Sequence, residues 1–179
     1  MKKLVFAFAL VVLAVVAGSA QEITSVYVKA SGLTCSMCSK AIFKALQKQP
    51  AVNTVEADIE NSGYLITFKP DAVISLDALK DAVLDAGFSV AAMEVKANFA
   101  NTAIENDSHV KVNNSTFHFM KVQNTTLQGE QKLLVLDKDF LPEKDRKLYA
   151  SATTMTCFES GKMKNASGQQ QRIYHVTMQ

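Results

Sequence analysis

The sequence predicts an α+β protein in two parts: a mixed unit of strands and two helices over residues 21–96, followed by a small all-β unit over 97–179. Three observations predict it. Apolar residues in the first half switch between a period of two and a period near four. The second half carries short β-rich runs separated by turn residues, with no long helical stripe. Composition also shifts near residue 96, which places a domain boundary there.

Each element of the first unit has a local cause. "TSVYVKA" sets Val26 and Val28 on one face of a strand that Gly32 ends. Cys38, Ile42 and Leu46 then recur every four residues, with Ala41 and Ala45 beside them, giving one buried helical stripe that stops before Pro50. "VNTVEADIEN" alternates Val55, Ala57 and Ile59 against acidic residues, and "YLITF" follows a turn at Asn61 to Gly63, the pattern of a hairpin. Ser75 is a suitable N-cap for a second helix bearing Leu76, Leu79, Val83 and Ala86, with Gly87 just past its end. "FSVAAMEV" supplies a last strand. The order β-α-β-β-α-β is the ferredoxin-like split βαβ arrangement.

Ahead of this unit, Lys2 and Lys3, an apolar run from Leu4 to Ala17 and the small residues Gly18, Ser19 and Ala20 read as a secretory signal peptide over 1–20, cut near Ala20. The run is short for a transmembrane span and no second one follows, so the reading is an exported protein, periplasmic or secreted, with no membrane anchor. Loss of Lys2 and Lys3 takes the formal net charge from +2 to zero, which gives no ground for a nucleic-acid partner. Three cysteines are too few for a disulfide framework and odd in number, so they point to chemistry.

Two of them, Cys35 and Cys38, form a Cys-x-x-Cys at the predicted start of the first helix. The spacing suits half a zinc site, a redox dithiol or a two-coordinate soft-metal site. Thiolates bind metal, and the positive end of a helix dipole favours that form at Cys38. Two soft thiolates fit Cu(I), and also Hg(II). A closed zinc site wants four ligands, and no second Cys-x-x-Cys or nearby histidine pair supplies them. An inert disulfide and a thiol-disulfide exchange centre remain open; the chain has no tryptophan ahead of the pair and no proline after it, which speaks against a thioredoxin-type motif.

Gly32, Leu33, Thr34, Cys35, Ser36, Met37, Cys38, Ile42 and Leu46, together with Ala86-Gly87-Phe88, resemble the heavy-metal-associated domain of copper chaperones and heavy-metal P-type ATPases, over residues 24–95. The resemblance implies the ferredoxin-like fold, a metal held by Cys35 and Cys38, and support of the metal loop by Gly32, Leu33, Thr34 and Phe88. It departs from the family pattern at Leu33, where methionine is usual and acts as buried support. Zinc-selective members often carry an aspartate where Thr34 stands, so Cu(I) is the favoured ion, with Hg(II) and Zn(II) as alternatives. Met37, between the cysteines, is read as a surface side chain before a third soft ligand.

In the second unit, strand-like runs fall at 109–112, 116–122, 132–137, 147–151, 154–158 and 172–178, with turns between them, which suggests a small barrel or sandwich, an OB-like barrel among the candidates. On a strand Met155 and Cys157 would face one side as auxiliary soft ligands, with His109, His118 and His175 as further donors. The competing reading makes Cys157 and Met155 core filler.

The expectation is therefore a non-enzymatic, exported metal carrier that transfers or sequesters Cu(I), with a protein donor or acceptor as its partner. The alternatives are a periplasmic thiol-disulfide oxidoreductase, a Hg(II) scavenger, or a metal sensor acting through the β-unit. The sequence leaves the oligomeric state open.

Overall fold

A computed structural model describes residues 21–32 and 36–179; the signal-peptide reading over 1–20 lies outside the described residues. The first unit forms in the expected order: β1 (Glu22–Ser31), α1 (Ser36–Gln47), β2 (Val52–Asp58), β3 (Gly63–Phe68), α2 (Leu76–Asp85) and β4 (Ser89–Ile104). Its strands lie β2-β3-β1-β4, with every neighbouring pair antiparallel, as the split βαβ arrangement requires. A register shift between Ile23 and Ser25 lets β1 bury Ile23 together with Val26, Val28 and Ala30. Helix α1 buries Ile42 and Leu46 completely, and the Ser75 hydroxyl accepts from the Ala78 N–H at 3.1 Å to cap α2.

One part of the hairpin reading is corrected. Val55 is buried, but Ala57 is exposed and Ile59 sits in the turn at 69% exposure. A shift in pairing between Val52 and Thr54 makes Val52 and Val55 the inward residues of β2. At the other side of the turn, Gly63 underlies the Tyr27 phenol: a Cβ added there would overlap that ring, whose hydroxyl donates to Asp58 at 3.0 Å.

Strand β4 runs for 16 residues and passes through positions 96 and 97 without a break. Beyond it come β5 (His109–Val112), β6 (Ser115–Phe119), β7 (Thr125–Val135), the short helices α3 (Glu143–Arg146) and α4 (Cys157–Ser160) flanking a 3-10 turn at Ala150–Ala152, then β8 (Lys162–Lys164) and β9 (Gln170–Met178). The strands of the second half do not make a separate barrel or sandwich. They extend the first sheet in the order β2-β3-β1-β4-β7-β9-β6-β5, with β8 paired to β9, and no pairing among the described residues closes that path. The apolar core is likewise continuous, from Ile23 and Ile42 to Phe117, Leu133 and Val176.

Backbone and side-chain hydrogen bonds tie the halves together. The Asn113 N–H donates to the Gln21 carbonyl at 3.0 Å, and Asn114 makes two hydrogen bonds to the Ile74 backbone. Arg172 of β9 donates to both carboxylate oxygens of Asp77 on α2, at 2.8 and 3.2 Å, and to Asp137 at 3.0 Å. Its guanidinium also stacks on Tyr174, whose hydroxyl donates to Asp77 at 3.0 Å. Burial opposes ionisation of Asp77, but the Arg172 and Tyr174 hydrogen bonds and the guanidinium charge outweigh it and hold the carboxyl below its ordinary range.

The strands expected at 147–151 and 154–158 are absent, replaced by turns and short helices. Pro142 opens α3, the buried Arg146 donates to the Phe158 carbonyl at 2.8 Å, and Gly161 at φ 65° ends α4. Tertiary anchoring of this segment overrides the β-propensity of its apolar residues. Met155 and Cys157 consequently do not share a strand face: Met155 is 38% exposed and Cys157 only 4%.

Two outcomes follow. Gly63→Ala should cost about 1–3 kcal/mol by overpacking against Tyr27, measurable by chemical denaturation. Because the Asp77 carboxyl is depressed in the folded state, its contribution to stability is present above its unfolded value near pH 3.9 and is lost as pH falls through the folded value. Asp77→Asn should therefore lower stability at neutral pH and flatten the acid limb of the stability profile below about pH 4.

Candidate metal centre

The crossing from β1 to α1 carries the two-cysteine motif. Gly32 leaves the strand at φ +82°, a conformation that favours glycine. Leu33, Thr34 and Cys35 lie outside the described residues. Helix α1 then presents Met37 outward at 72% exposure and Cys38 half-buried in its first turn. Cys38 stands four and eight residues before the fully buried Ile42 and Leu46, so it occupies the solvent end of the same stripe. That position combines a fixed backbone with access from outside.

One supporting residue had no signal in the sequence. Tyr64 of β3 is buried, and its hydroxyl donates to the Ser39 carbonyl at 3.2 Å while lying 2.9 Å from the Ser39 hydroxyl. The phenol thus pins the first turn of α1, one residue from Cys38, to the sheet. Only the tertiary pairing of helix and hairpin reveals this, because a tyrosine in a strand reads as ordinary β-propensity. Phe88, half-buried after the Gly87 turn, packs against the main core.

The candidate auxiliary residues are partly separated and partly gathered. Met155 stands apart from Cys157 in exposure, but Cys157 lies between His118 and His175, with His109 stacked on His118. Burial pushes the Cys157 thiol up, aided by the carboxylates of Asp107 and Asp137. Burial likewise pushes His118 down to about 4, against the pull of its hydrogen bond to Asp107, and lowers His109. The His109 and His118 imidazoles and the Cys157 thiol are therefore neutral at physiological pH. Among the described residues, no helix is long and apolar enough to cross a membrane.

Known proteins match the motif-bearing half. Residues 28–89 fit the heavy-metal-associated domain family. The mercuric transport protein periplasmic component of Pseudomonas fluorescens is 38% identical over 88 residues, covering 49% of this chain and 93% of that protein. A probable copper-transporting ATPase of Arabidopsis thaliana is 31% identical over 67 residues, 37% of this chain but 7% of the ATPase, so the chain spans only a small part of that relative. Among solved structures, oxidized MerP from Ralstonia metallidurans CH34 is 33% identical, covering 40% of this chain and 97% of that one, with a TM-score of 0.33. With a relative of this identity covered almost end to end, the chain belongs to the heavy-metal-associated domain family.

Proposed function

We propose that the protein is an exported carrier that binds one soft metal ion, Cu(I) in the first reading, through Cys35 and Cys38 and passes it to or from a protein partner. The observation that carries this reading is the placement of Cys38. It sits in the first turn of a helix whose next two stripe residues are locked in the core, six positions after Gly32, within the stretch that fits the family. A thiolate there stands on a helix turn fixed to the core and is itself only half-buried.

Transfer between two such thiolate pairs proceeds by ligand exchange. An incoming thiolate adds to the ion, a three-coordinate intermediate forms, and one original thiolate leaves. Each step trades one metal–sulfur bond for another, so the chain needs no general base and acts as a carrier, not an enzyme. Met37, exposed beside the pair, suits the docking surface for that partner. The apolar run within residues 1–20 and the periplasmic name of the mercuric relative support action outside the cytoplasm. In that compartment metal and disulfide compete for the same sulfurs, so the pair must be loaded or kept reduced.

A second cargo, Hg(II), is favoured by one specific observation: the mercuric transport component is covered over 93% of its length. Zn(II), which prefers four ligands, ranks below both.

Anaerobic titration of the reduced protein with Cu(I), and separately with Hg(II), against a competing chelator distinguishes the cargos. The wild type is expected to take one tight equivalent more than the Cys35→Ser/Cys38→Ser variant. If the variant takes as many tight equivalents as the wild type, or if the wild-type pair takes neither ion tightly and exchanges disulfides with a protein thiol instead, the carrier reading falls. Tyr64→Phe should cost about 1 kcal/mol of stability by breaking the bonds to Ser39. It should also weaken binding at the pair by up to about tenfold, since partners that orient a metal ligand typically matter by 10–100-fold when removed.

A further inference from the structure

Every histidine of this chain, and the one cysteine outside the paired motif, meet at one place. The register of three neighbouring strands does this. His109 of β5 stands opposite His118 of β6, and His118 stands beside His175 of the parallel β9. They form a row across one face of the sheet. The alternate residues Phe117, Phe119, Tyr174 and Val176 face the main core on the other side. The segment containing α3 and α4 covers the histidine face and delivers Cys157 to it. His118 and His175 are fully buried.

The polar atoms of this cluster do not balance. His118 Nε2 lies 2.9 Å from an Asp107 oxygen, and His175 Nδ1 lies 3.1 Å from an Asp137 oxygen, whose partner oxygen also accepts the His175 backbone N–H at 2.7 Å. Both carboxylates accept, so those ring nitrogens carry the hydrogens. The inner nitrogens, His118 Nδ1 and His175 Nε2, are then bare lone pairs, and both aim at Cys157 Sγ, at 3.5 and 3.4 Å. A thiol has one hydrogen and can satisfy only one of them. His109 adds a third: its ring makes a backbone hydrogen bond with Asp107, while its Nε2 is buried with no partner. Two lone pairs thus compete for one thiol hydrogen and a third, on His109, is buried without a partner beside them, an arrangement costly unless a cation fills it.

The distances fit that solution. Two ligands on one tetrahedral ion, with bonds of about 2.3 Å to sulfur and 2.0–2.1 Å to nitrogen, stand roughly 3.5 Å apart. The two sulfur–nitrogen separations already have this value, and one donor atom each from His109, His118 and Cys157 falls within 4.8 Å of the others. Carboxylates on the outer nitrogens are the support that fixes imidazole tautomer and direction at metal sites. Residue 157 also borders an open surface pocket of about 390 Å³ whose other lining residues include Met155, Met163, Lys162 and Lys164.

We propose that Cys157 and His118, flanked by His109 and His175, form a second metal site for a borderline late-transition ion, copper or zinc. One thiolate among imidazoles suits these ions better than the all-sulfur pair does. Binding releases the Cys157 proton to solvent, and the sulfur, now a thiolate, bonds the ion. The same cysteine beside His175 and Asp137 has the outline of a nucleophilic triad. However, it is nearly inaccessible, and two carboxylates oppose its ionisation, the reverse of an activated thiol.

The test uses the full protein carrying Cys35→Ser and Cys38→Ser, so its result is independent of the first pair. Titration with Co(II), followed by displacement with Zn(II) and repeated with Cu(I), should show one saturable equivalent. It should also give a thiolate-to-Co(II) charge-transfer band and a metal-dependent rise in melting temperature. Adding Cys157→Ser should abolish the band, and His109→Gln, at the more open end of the row, should weaken Co(II) binding by at least about tenfold. His109→Gln decides the matter if Cys157→Ser does not fold. The site is overturned if the folded parent binds no metal, if binding lacks the charge-transfer band, or if Cys157 proves rapidly alkylated in the native protein with no protection by metal.

Discussion

The structure depends on β4. One face of this 16-residue strand belongs to the core shared with α1 and α2, and its two edges pair with β1 and β7. Because β1 and β7 lie on opposite sides of it, the ferredoxin-like half and the C-terminal half are parts of a single hydrogen-bonded sheet. A strand that long cannot change register in one half without displacing the other. Cutting the chain near residue 96 would sever β4 in its middle and expose two unpaired sheet edges, so the compositional shift there marks a change of sequence style and not a linker.

The first half was legible because its signals are local. Period-four stripes, the Ser75 cap and the turn before "YLITF" each act within a few residues, and the two-cysteine motif travels with its flanks. The second half was legible strand by strand at 109–112, 132–137 and 172–178, but its assembly was not. Which strand pairs with β4 depends on nonlocal hydrogen bonds that no window of sequence contains. The runs at 147–151 and 154–158 misled for a related reason. Their apolar residues serve as anchors in a cover over the sheet, where Arg146 and Phe158 fix the backbone, and not as one face of a strand.

The histidine cluster illustrates the same limit in another form. His109, His118 and His175 are spread over 67 positions of the chain, and nothing in their spacing suggests a site. A parallel pairing between β6 and β9, joined to the antiparallel pairing of β5 and β6, sets them side by side. Sequence composition could count the donors, and it could suspect Cys157. It could not place Cys157 at the start of a short helix instead of on a strand, and that placement is what separates it from Met155.

The two cysteine environments have opposite physical characters, and the contrast bears on what each can do with an ion. Cys38 lies half-buried in the first turn of a helix, beside an exposed methionine. At Cys157 the imidazoles are oriented by Asp107 and Asp137, their rings are packed against one another and against Phe158, and the sulfur is almost sealed. An ion leaving such a place would strand buried lone pairs and a thiolate in a medium of low dielectric, which raises the barrier to release. In the proposed reading, a two-thiolate pair on a helix end suits passing an ion on, whereas a buried mixed-donor cluster suits holding one.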